Sequence, residues 1–143
     1  MIIQSFAAAD TLRLGAEMGQ KANPGDIFCL VGALGMGKTV LAQGLAQGLG
    51  YAGRVTSPTF SLMNIYEGGR LTLYHFDLYR LAGDEVWGLG ADEYFDAGGV
   101  CLLEWPKQAG NMLPDTARWI EIKADLARDI DYREIIIHEG SCN

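Results

Sequence analysis

The sequence predicts a three-layer α/β fold around a mostly parallel central sheet with antiparallel additions. Two observations indicate this fold. Ile27–Val31 is an unbroken apolar run, typical of a parallel strand buried on both faces, and it leads into a glycine-rich loop. Gly37–Leu49 then forms a helix with Leu41, Leu45 and Leu49 on one face. The length of 143 residues predicts a single domain over residues 1–143.

Further segments have the apolar patterns of helices or strands. They are a helix capped by Asp10 that runs to about Ala22, a hairpin of Phe60–Tyr66 with Leu71–Asp77, a helical stretch over Asp84–Phe95, a buried strand Val100–Leu103, and an antiparallel pair of Trp119–Lys123 with Glu134–His138. Gly44 and Gly48 lie inside the Gly37–Leu49 helix. Because each costs up to about 1 kcal/mol relative to alanine, we expect packing to hold that helix.

The composition excludes several classes of protein. A net charge of −7 argues against a broad basic face that grips nucleic acid directly, although contact through a partner stays open. The three cysteines show no metal-ligand spacing, and Cys29 and Cys101 sit in apolar runs as small core residues. Neither a secretory signal nor an apolar stretch of about 18 residues is visible, so we expect a soluble, cytoplasmic protein without a membrane role.

Gly32–Thr39 matches the phosphate-loop pattern G-x-x-x-x-G-K-[ST] at every fixed position. Glycines let successive backbone N–H groups point at a phosphate, and the following helix adds its positive N-terminus. Lys38 is suited to neutralise the β- and γ-phosphates, and the Thr39 hydroxyl to ligate Mg²⁺. The alternative is a glycine-rich turn with an incidental lysine. The strand before the loop and the helix after it favour the phosphate loop, and hence a P-loop NTPase-like fold.

A phosphate loop also needs a carboxylate near Mg²⁺, at the carboxyl end of a neighbouring strand. Glu104 follows four apolar residues, and Asp77 ends an alternating run. Each has an alternative role as an ordinary acid at a strand end, and the residues alone favour Glu104 over Asp77. His75 is interpreted as a hydrogen-bonded strand residue. Trp105 either packs over the site or fills the core.

Four segments together resemble the bacterial TsaE (YjeE) family of small P-loop ATPases required for threonylcarbamoyladenosine synthesis on tRNA. They are Gly32–Thr39, Val55–Phe60, Leu73–Arg80 and Leu103–Pro106, and the resemblance covers nearly the whole chain. Three positions depart from the family pattern without removing a fixed loop residue: Ala33, Val40 and Lys107.

This resemblance implies that the chain binds ATP and Mg²⁺. Catalytic roles fall on Lys38, Asp77 and Glu104, and metal binding falls on Thr39 and Glu104. The residues expected to bind nucleotide are Leu34, Gly35, Met36, Gly37, Lys38, Thr39, Val40, Thr59 and Trp105. Thr56–Thr59 matches a switch-like segment of the family, although the residues alone favour a polar turn organised by Pro58. The implied partners are the TsaD and TsaB proteins, with tRNA met only through them.

Two other functions stay open at this stage. One is a small phosphotransferase that passes the γ-phosphate to a metabolite or nucleoside. The other is a binding module whose nucleotide is a structural ligand or a switch. A GTPase is disfavoured because the chain contains no N-K-x-D guanine signature.

Overall fold

The computed structural model describes residues 1–32, 37–56, 58, 62–81, 83–125 and 127–138. The strands of the described residues are β1 (Ile2–Ser5), β2 (Ile27–Val31), β3 (Met63–Tyr66), β4 (Leu73–Asp77), β5 (Val100–Glu104), β6 (Arg118–Ala124) and β7 (Arg133–His138). They form one sheet in the order β1-β7-β6-β2-β5-β4-β3. The pairs β6–β2, β2–β5 and β5–β4 are parallel, whereas β1, β7 and β3 join antiparallel. This confirms the predicted mixed sheet.

Helices cover both faces of the sheet. They are α1 (Ala8–Lys21), α2 (Lys38–Gly48), α3 (Gly83–Leu89), α4 (Ala91–Phe95) and a 3₁₀ segment, Pro106–Met112. On one face, Leu41 and Leu45 of α2 pack with Leu30 and Leu102 of the central strands. The opposite core cluster contains side chains from α3, α4 and the 3₁₀ segment. The predicted three layers are therefore present.

Helices α1 and α2 approach each other through glycines. A Cβ added to Gly44 would overlap the carbonyl oxygen of Leu12, and one on Gly48 would overlap that of Ala16. Gly15 and Gly19 present the complementary positions on α1. Because only hydrogen fits between these backbones, the glycines set how deeply α2 sits on α1. The expectation that packing holds α2 is confirmed.

Two predicted helices differ from the structure, and one strand was missed. Helix α1 begins at Ala8, and Asp10 is its third residue rather than its cap; the Asp10 carboxylate accepts a hydrogen bond from the Phe6 N–H at 3.0 Å. The helical stretch predicted over 84–95 is two helices, because Gly90 adopts a φ of +75° between them. Strand β1, which pairs with β7, was not predicted at all.

The hairpin, the buried strand β5 and the closing pair β6–β7 are confirmed. Phe60 and Ser61, at the start of the predicted first hairpin strand, lie outside the described residues. Among the helices of the described residues, none has the length and apolar character to cross a bilayer.

Candidate functional site

The site is organised around the end of β2 and the start of α2. Strand β2 ends at Val31, and α2 begins at Lys38 after Gly37, whose φ of +94° is a left-handed conformation that favours glycine. The first turn of α2 carries Thr39, which is exposed, and Val40, which is partly buried. Helix starts have N–H groups without intrahelical partners and a positive partial charge, so this end of α2 suits an anion. The predicted contacts Leu34, Gly35 and Met36 lie outside the described residues.

The Lys38 side chain turns inward rather than into solvent. Only 6% of it is exposed, and its Nζ lies 3.5 Å from Glu104 Oε1. The same ammonium lies 5.1 Å from the centroid of the Trp105 ring, within the range of a cation–π contact. The structure therefore brings together the predicted phosphate-loop lysine, the predicted metal-binding acid and the predicted neighbouring aromatic.

The two predicted acids end adjacent strands beside the loop. Strand β5 lies between β2 and β4, with Leu30 in register with Glu104 and Asp77 also in register with Glu104. Parallel strands about 4.8 Å apart thus place both acids at one edge of the sheet. Open α/β sheets bind ligands at this carboxyl edge.

Strand periodicity puts these side chains on the face covered by α2. Leu73 and Leu102 belong to the core cluster that contains Leu41 and Leu45. Successive side chains on a strand alternate between faces, so His75 and Asp77 share the face of Leu73, and Glu104 shares the face of Leu102. The contact of Glu104 with Lys38 on α2 agrees with this placement.

Glu104 is buried and has a partner on each carboxylate oxygen. His75 Nε2 lies 2.8 Å from Oε2, and Lys38 Nζ lies near Oε1. Burial acts to raise the pKa of this carboxyl, but the hydrogen bond and electrostatic attraction from His75, together with the Lys38 ammonium, hold the pKa below its usual value. Glu104 is therefore maintained as a carboxylate, the form that binds a cation.

Asp77 is equally buried but differently bonded. Its Oδ1 accepts a hydrogen bond from the Tyr79 N–H at 3.0 Å, which fixes the side chain at the strand end. The other oxygen, Oδ2, has no hydrogen-bond donor among the described residues. One carboxylate oxygen of Asp77 is therefore available to a ligand or a water.

Backbone strain is concentrated beside these acids. Among the described residues, the non-glycine positions with positive φ are Leu62, at 68°, and Trp105, at 57°. The Leu62 carbonyl accepts a hydrogen bond from the Asp77 N–H, and Trp105 directly follows Glu104. Such conformations cost about 1–3 kcal/mol and persist where the surroundings enforce them, which is common at functional sites.

Trp105 lies at the rim of the site, where it also packs against the core cluster on the opposite face of the sheet. Its ring centroid is 4.7 Å from that of Tyr79, and the residue is only partly buried. It also borders a groove of about 710 Å³ that begins at Gly32 and extends to Glu121 and Lys123 on β6. The structure shows features of both roles open from the sequence, since the ring lies beside Lys38 and also packs against a core cluster.

The switch-like segment is described only in part. Thr56 is exposed, and its backbone N–H and carbonyl both bond the Tyr66 hydroxyl, at 3.2 and 3.0 Å. This anchors the start of the segment to β3. Ser57 and Thr59 lie outside the described residues, so the expected contact of Thr59 with nucleotide stays a prediction.

One residue of the site was recognised only as structural from the sequence. His75 is the predicted hydrogen-bonded strand residue, but its partner is Glu104 itself. The sequence signal for its position was the alternation of side chains along a strand, which puts His75 and Asp77 on the same face of β4. The identity of the partner depends on the parallel pairing of β4 with β5, which the sequence does not specify.

The fold and site define an α/β protein with a strand–loop–helix unit and two acids at the carboxyl edge of its sheet. A family model described as Threonylcarbamoyl adenosine biosynthesis protein TsaE matches residues 6–134. The tRNA threonylcarbamoyladenosine biosynthesis protein TsaE of Treponema pallidum is 43% identical over 129 residues, covering 88% of this chain and 95% of that protein. The protein of the same name from Bacillus subtilis is 45% identical over 116 residues, covering 80% and 73%.

The fold gives the same result. A crystal structure of Bacillus subtilis YdiB superposes with a TM-score of 0.78 at 35% identity, covering 98% of this chain and 86% of that one. This chain belongs to the TsaE family, which takes part in the biosynthesis of threonylcarbamoyladenosine on tRNA.

Proposed function

We propose that this chain binds ATP with Mg²⁺ and hydrolyses the γ-phosphate in support of threonylcarbamoyladenosine formation. One observation carries the proposal: Lys38, at the start of α2, meets Glu104 at 3.5 Å where three adjacent strands end. A lysine, a carboxylate and a helix N-terminus at the end of a glycine-rich loop are the groups that position a nucleotide triphosphate.

The donor set fits magnesium. The candidate ligands are the Glu104 carboxylate and the Thr39 hydroxyl, both oxygen donors, which Mg²⁺ prefers. No group of three His, Cys, Asp or Glu side chains within the described residues is arranged to hold a metal by itself. When bound, Mg²⁺ would supply positive charge that offsets the charge of the phosphates.

The residues of the chain divide the remaining work. The N–H groups of the loop and of the helix start would hold the phosphates, and Trp105 and Thr59 would border the nucleotide. The Lys38 ammonium would exchange Glu104 Oε1 for a phosphate oxygen. In hydrolysis the bond between the γ-phosphorus and the bridging oxygen breaks, a new bond forms to water, and ADP leaves. Asp77, through Oδ2, which has no donor among the described residues, would orient that water and take its proton.

The ATP cycle would serve partner proteins rather than a reaction on tRNA by this chain. We infer that it docks on a TsaD–TsaB assembly, where TsaD transfers the threonylcarbamoyl group, and that ATP turnover resets this assembly between rounds. The net charge of −7 supports this division, because a protein that binds tRNA by itself is expected to have a basic face.

The test is ATP hydrolysis with and without the TsaD–TsaB complex, alongside the yield of modified tRNA over many turnovers. We expect the partners to stimulate hydrolysis and Lys38→Ala to abolish the stimulated rate. The matched control is Lys21→Ala, which removes an exposed lysine at the end of α1. A Lys38→Ala protein that hydrolyses ATP as fast as its parent would overturn the proposal. If the yield of modified tRNA is the same with a non-hydrolysable ATP analogue as with ATP, the nucleotide acts as a switch and its hydrolysis is not required.

The groove beside the loop favours a second candidate, the phosphotransferase. Its volume of about 710 Å³ is within the range of small-molecule sites, and its lining includes Gly32, the first residue of the loop. A metabolite bound there would be adjacent to the phosphates. A phosphotransferase would release ADP only when a small acceptor is added, without any protein partner. A screen that finds no such acceptor would favour the ATPase.

A further inference from the structure

His75 is a polar side chain enclosed in the sheet beside the site. It is 1% exposed, and it sits in the middle of β4 between Asn64 of β3 and Leu102 of β5. A buried imidazole in such a position is costly unless it is hydrogen-bonded. Its Nδ1 has no partner in the described structure, so Nε2 makes the one hydrogen bond of the ring. The burial of His75 is therefore compensated through Glu104 alone.

The geometry of that bond separates the two oxygens of Glu104. A carboxylate can only accept, so His75 Nε2 carries the hydrogen that it donates to Oε2, at 2.8 Å. Oε1 is left facing Lys38, at 3.5 Å, on the side of α2. A short hydrogen bond on one side and a longer ion pair on the other fix the rotation of the carboxylate. Oε2 is therefore the oxygen on the side of His75, and Oε1 is the oxygen on the side of Lys38.

We propose that His75 is a positioning residue that holds Glu104 so that Oε1 is presented to magnesium-bound nucleotide. The inference rests on the proposed function, because it takes Glu104 as the acid that faces Mg²⁺. Without the donor at Nε2, both carboxylate oxygens are free to approach the Lys38 ammonium. A closer Lys38–Glu104 pair would withdraw both groups from the nucleotide. Loss of a hydrogen bond to a metal-ligating group typically costs about 10–100-fold in metal affinity or activity.

The experiment measures how Mg²⁺ changes the affinity for a fluorescent ADP analogue, with EDTA as the metal-free state. His75→Leu is expected to raise the Mg²⁺ concentration needed for half-maximal tightening by about tenfold or more, with little change in EDTA. His75→Gln places an amide donor close to the Nε2 position and should restore the response. His75→Asn also carries an amide, but its side chain is too short to reach Glu104, so this variant should not restore the response.

Two controls separate this role from a general defect. The chain has two histidines, and His138 also faces a carboxylate, with Nε2 3.4 Å from Glu121 Oε1 on the β6–β7 pair. His138→Leu should leave the Mg²⁺ response unchanged. In a Glu104→Gln background, His75→Leu should cause no further loss, because the histidine acts through that carboxylate. If His75→Leu fails to fold, the comparison of His75→Gln with His75→Asn still tests the role of His75.

An unchanged Mg²⁺ response in His75→Leu or His75→Asn would overturn the role of His75, as would an equal loss with Mg²⁺ and with EDTA. The result is also distinguishable from failure of the proposed function. A parent chain that binds magnesium nucleotide but does not hydrolyse ATP with its partners disproves the ATPase, while the binding comparison still decides the role of His75. A parent whose affinity for the ADP analogue does not change with Mg²⁺ disproves the role of His75, while the hydrolysis assay still decides the ATPase.

Discussion

Asp77 and Glu104 are register partners at the carboxyl ends of the parallel strands β4 and β5. Their side chains share one face of the sheet but have different partners. Glu104 is occupied on both oxygens by His75 and Lys38, whereas Asp77 is held on one oxygen by the Tyr79 N–H. Neighbouring acids with different surroundings suit different tasks. These surroundings support the proposed roles, cation binding for Glu104 and handling of the attacking water for Asp77.

The first prediction concerns Asp77→Asn. The amide oxygen can still accept the Tyr79 N–H bond, so the fold is preserved while the basic oxygen is lost. We expect the partner-stimulated rate of ATP hydrolysis to fall by about 100-fold or more, the usual range for a general base. Because the described residues show no ion pair between Asp77 and Lys38, nucleotide affinity should change by no more than about threefold. Steady-state kinetics and a fluorescent nucleotide titration measure the two quantities.

The control for this variant is Asp96→Asn, which neutralises an exposed acid at the end of α4 and should leave both quantities unchanged. Glu104→Gln provides the contrast, since it should weaken nucleotide binding only when Mg²⁺ is present. A fall in affinity for Asp77→Asn that matches its fall in rate would show that Asp77 binds the nucleotide instead of acting on water.

The parts of the site that the sequence predicted are those governed by local patterns. Strand β2, the loop and α2 follow one another in the chain, so the position of Lys38 beside a strand end follows from the motif. Glu104 was identified because four apolar residues mark the strand that precedes it. In both cases the chemistry and the element that carries it lie within a few residues of each other.

The parts that were missed depend on contacts between distant segments. The bond of His75 to Glu104 spans 29 positions and needs the β4–β5 register. Arg70 closes the end of α1 by donating to the carbonyls of Gly19 and Ala22, 51 and 48 positions away. Strand β1 is four residues long and is stabilised by pairing with β7 at the other end of the chain. No local propensity encodes such partners.

The second prediction concerns the glycines between α1 and α2. Gly44→Ala and Gly48→Ala each place a methyl group against a carbonyl oxygen of α1. The gain of about 1 kcal/mol from the better helix former is outweighed by overpacking, so we expect the free energy of unfolding to fall by about 1–3 kcal/mol. Urea denaturation measures this free energy. An unchanged dependence of the free energy on urea concentration would indicate that the unfolded state is the same.

Gly88→Ala is the matched control for these substitutions. Gly88 also lies within a helix, α3, but a Cβ there meets nothing within 4 Å among the described residues. The same chemical change should therefore be neutral or stabilise by up to about 1 kcal/mol. If all three variants behave alike, helix propensity and not the close approach of α1 to α2 decides the effect.

The third prediction concerns the two cysteines of the central strands. Cys29 and Cys101 are confirmed as core residues, with 0% and 1% exposure. Burial raises the pKa of each thiol to about 12, and for Cys101 the neighbouring Cys29 adds to the rise. Both are therefore thiols at neutral pH and enclosed by the core. In a Cys142→Ser chain, we expect Ellman's reagent to label neither in the native protein and both after denaturation in guanidinium.

The same pKa shifts predict how stability depends on pH. The unfolded chain ionises these thiols near pH 9, whereas the folded protein keeps them neutral up to about pH 12. The contribution of the two thiols to the free energy of unfolding is therefore complete below pH 9. It is lost between pH 9 and about pH 12, because in that range the folded state binds more protons than the unfolded one. Urea unfolding at about pH 8 and about pH 10.5 measures the fall. Replacing Cys29 and Cys101 with alanine should reduce this loss of stability between the two pH values. Prompt labelling of either thiol in the folded chain would contradict their burial in the core.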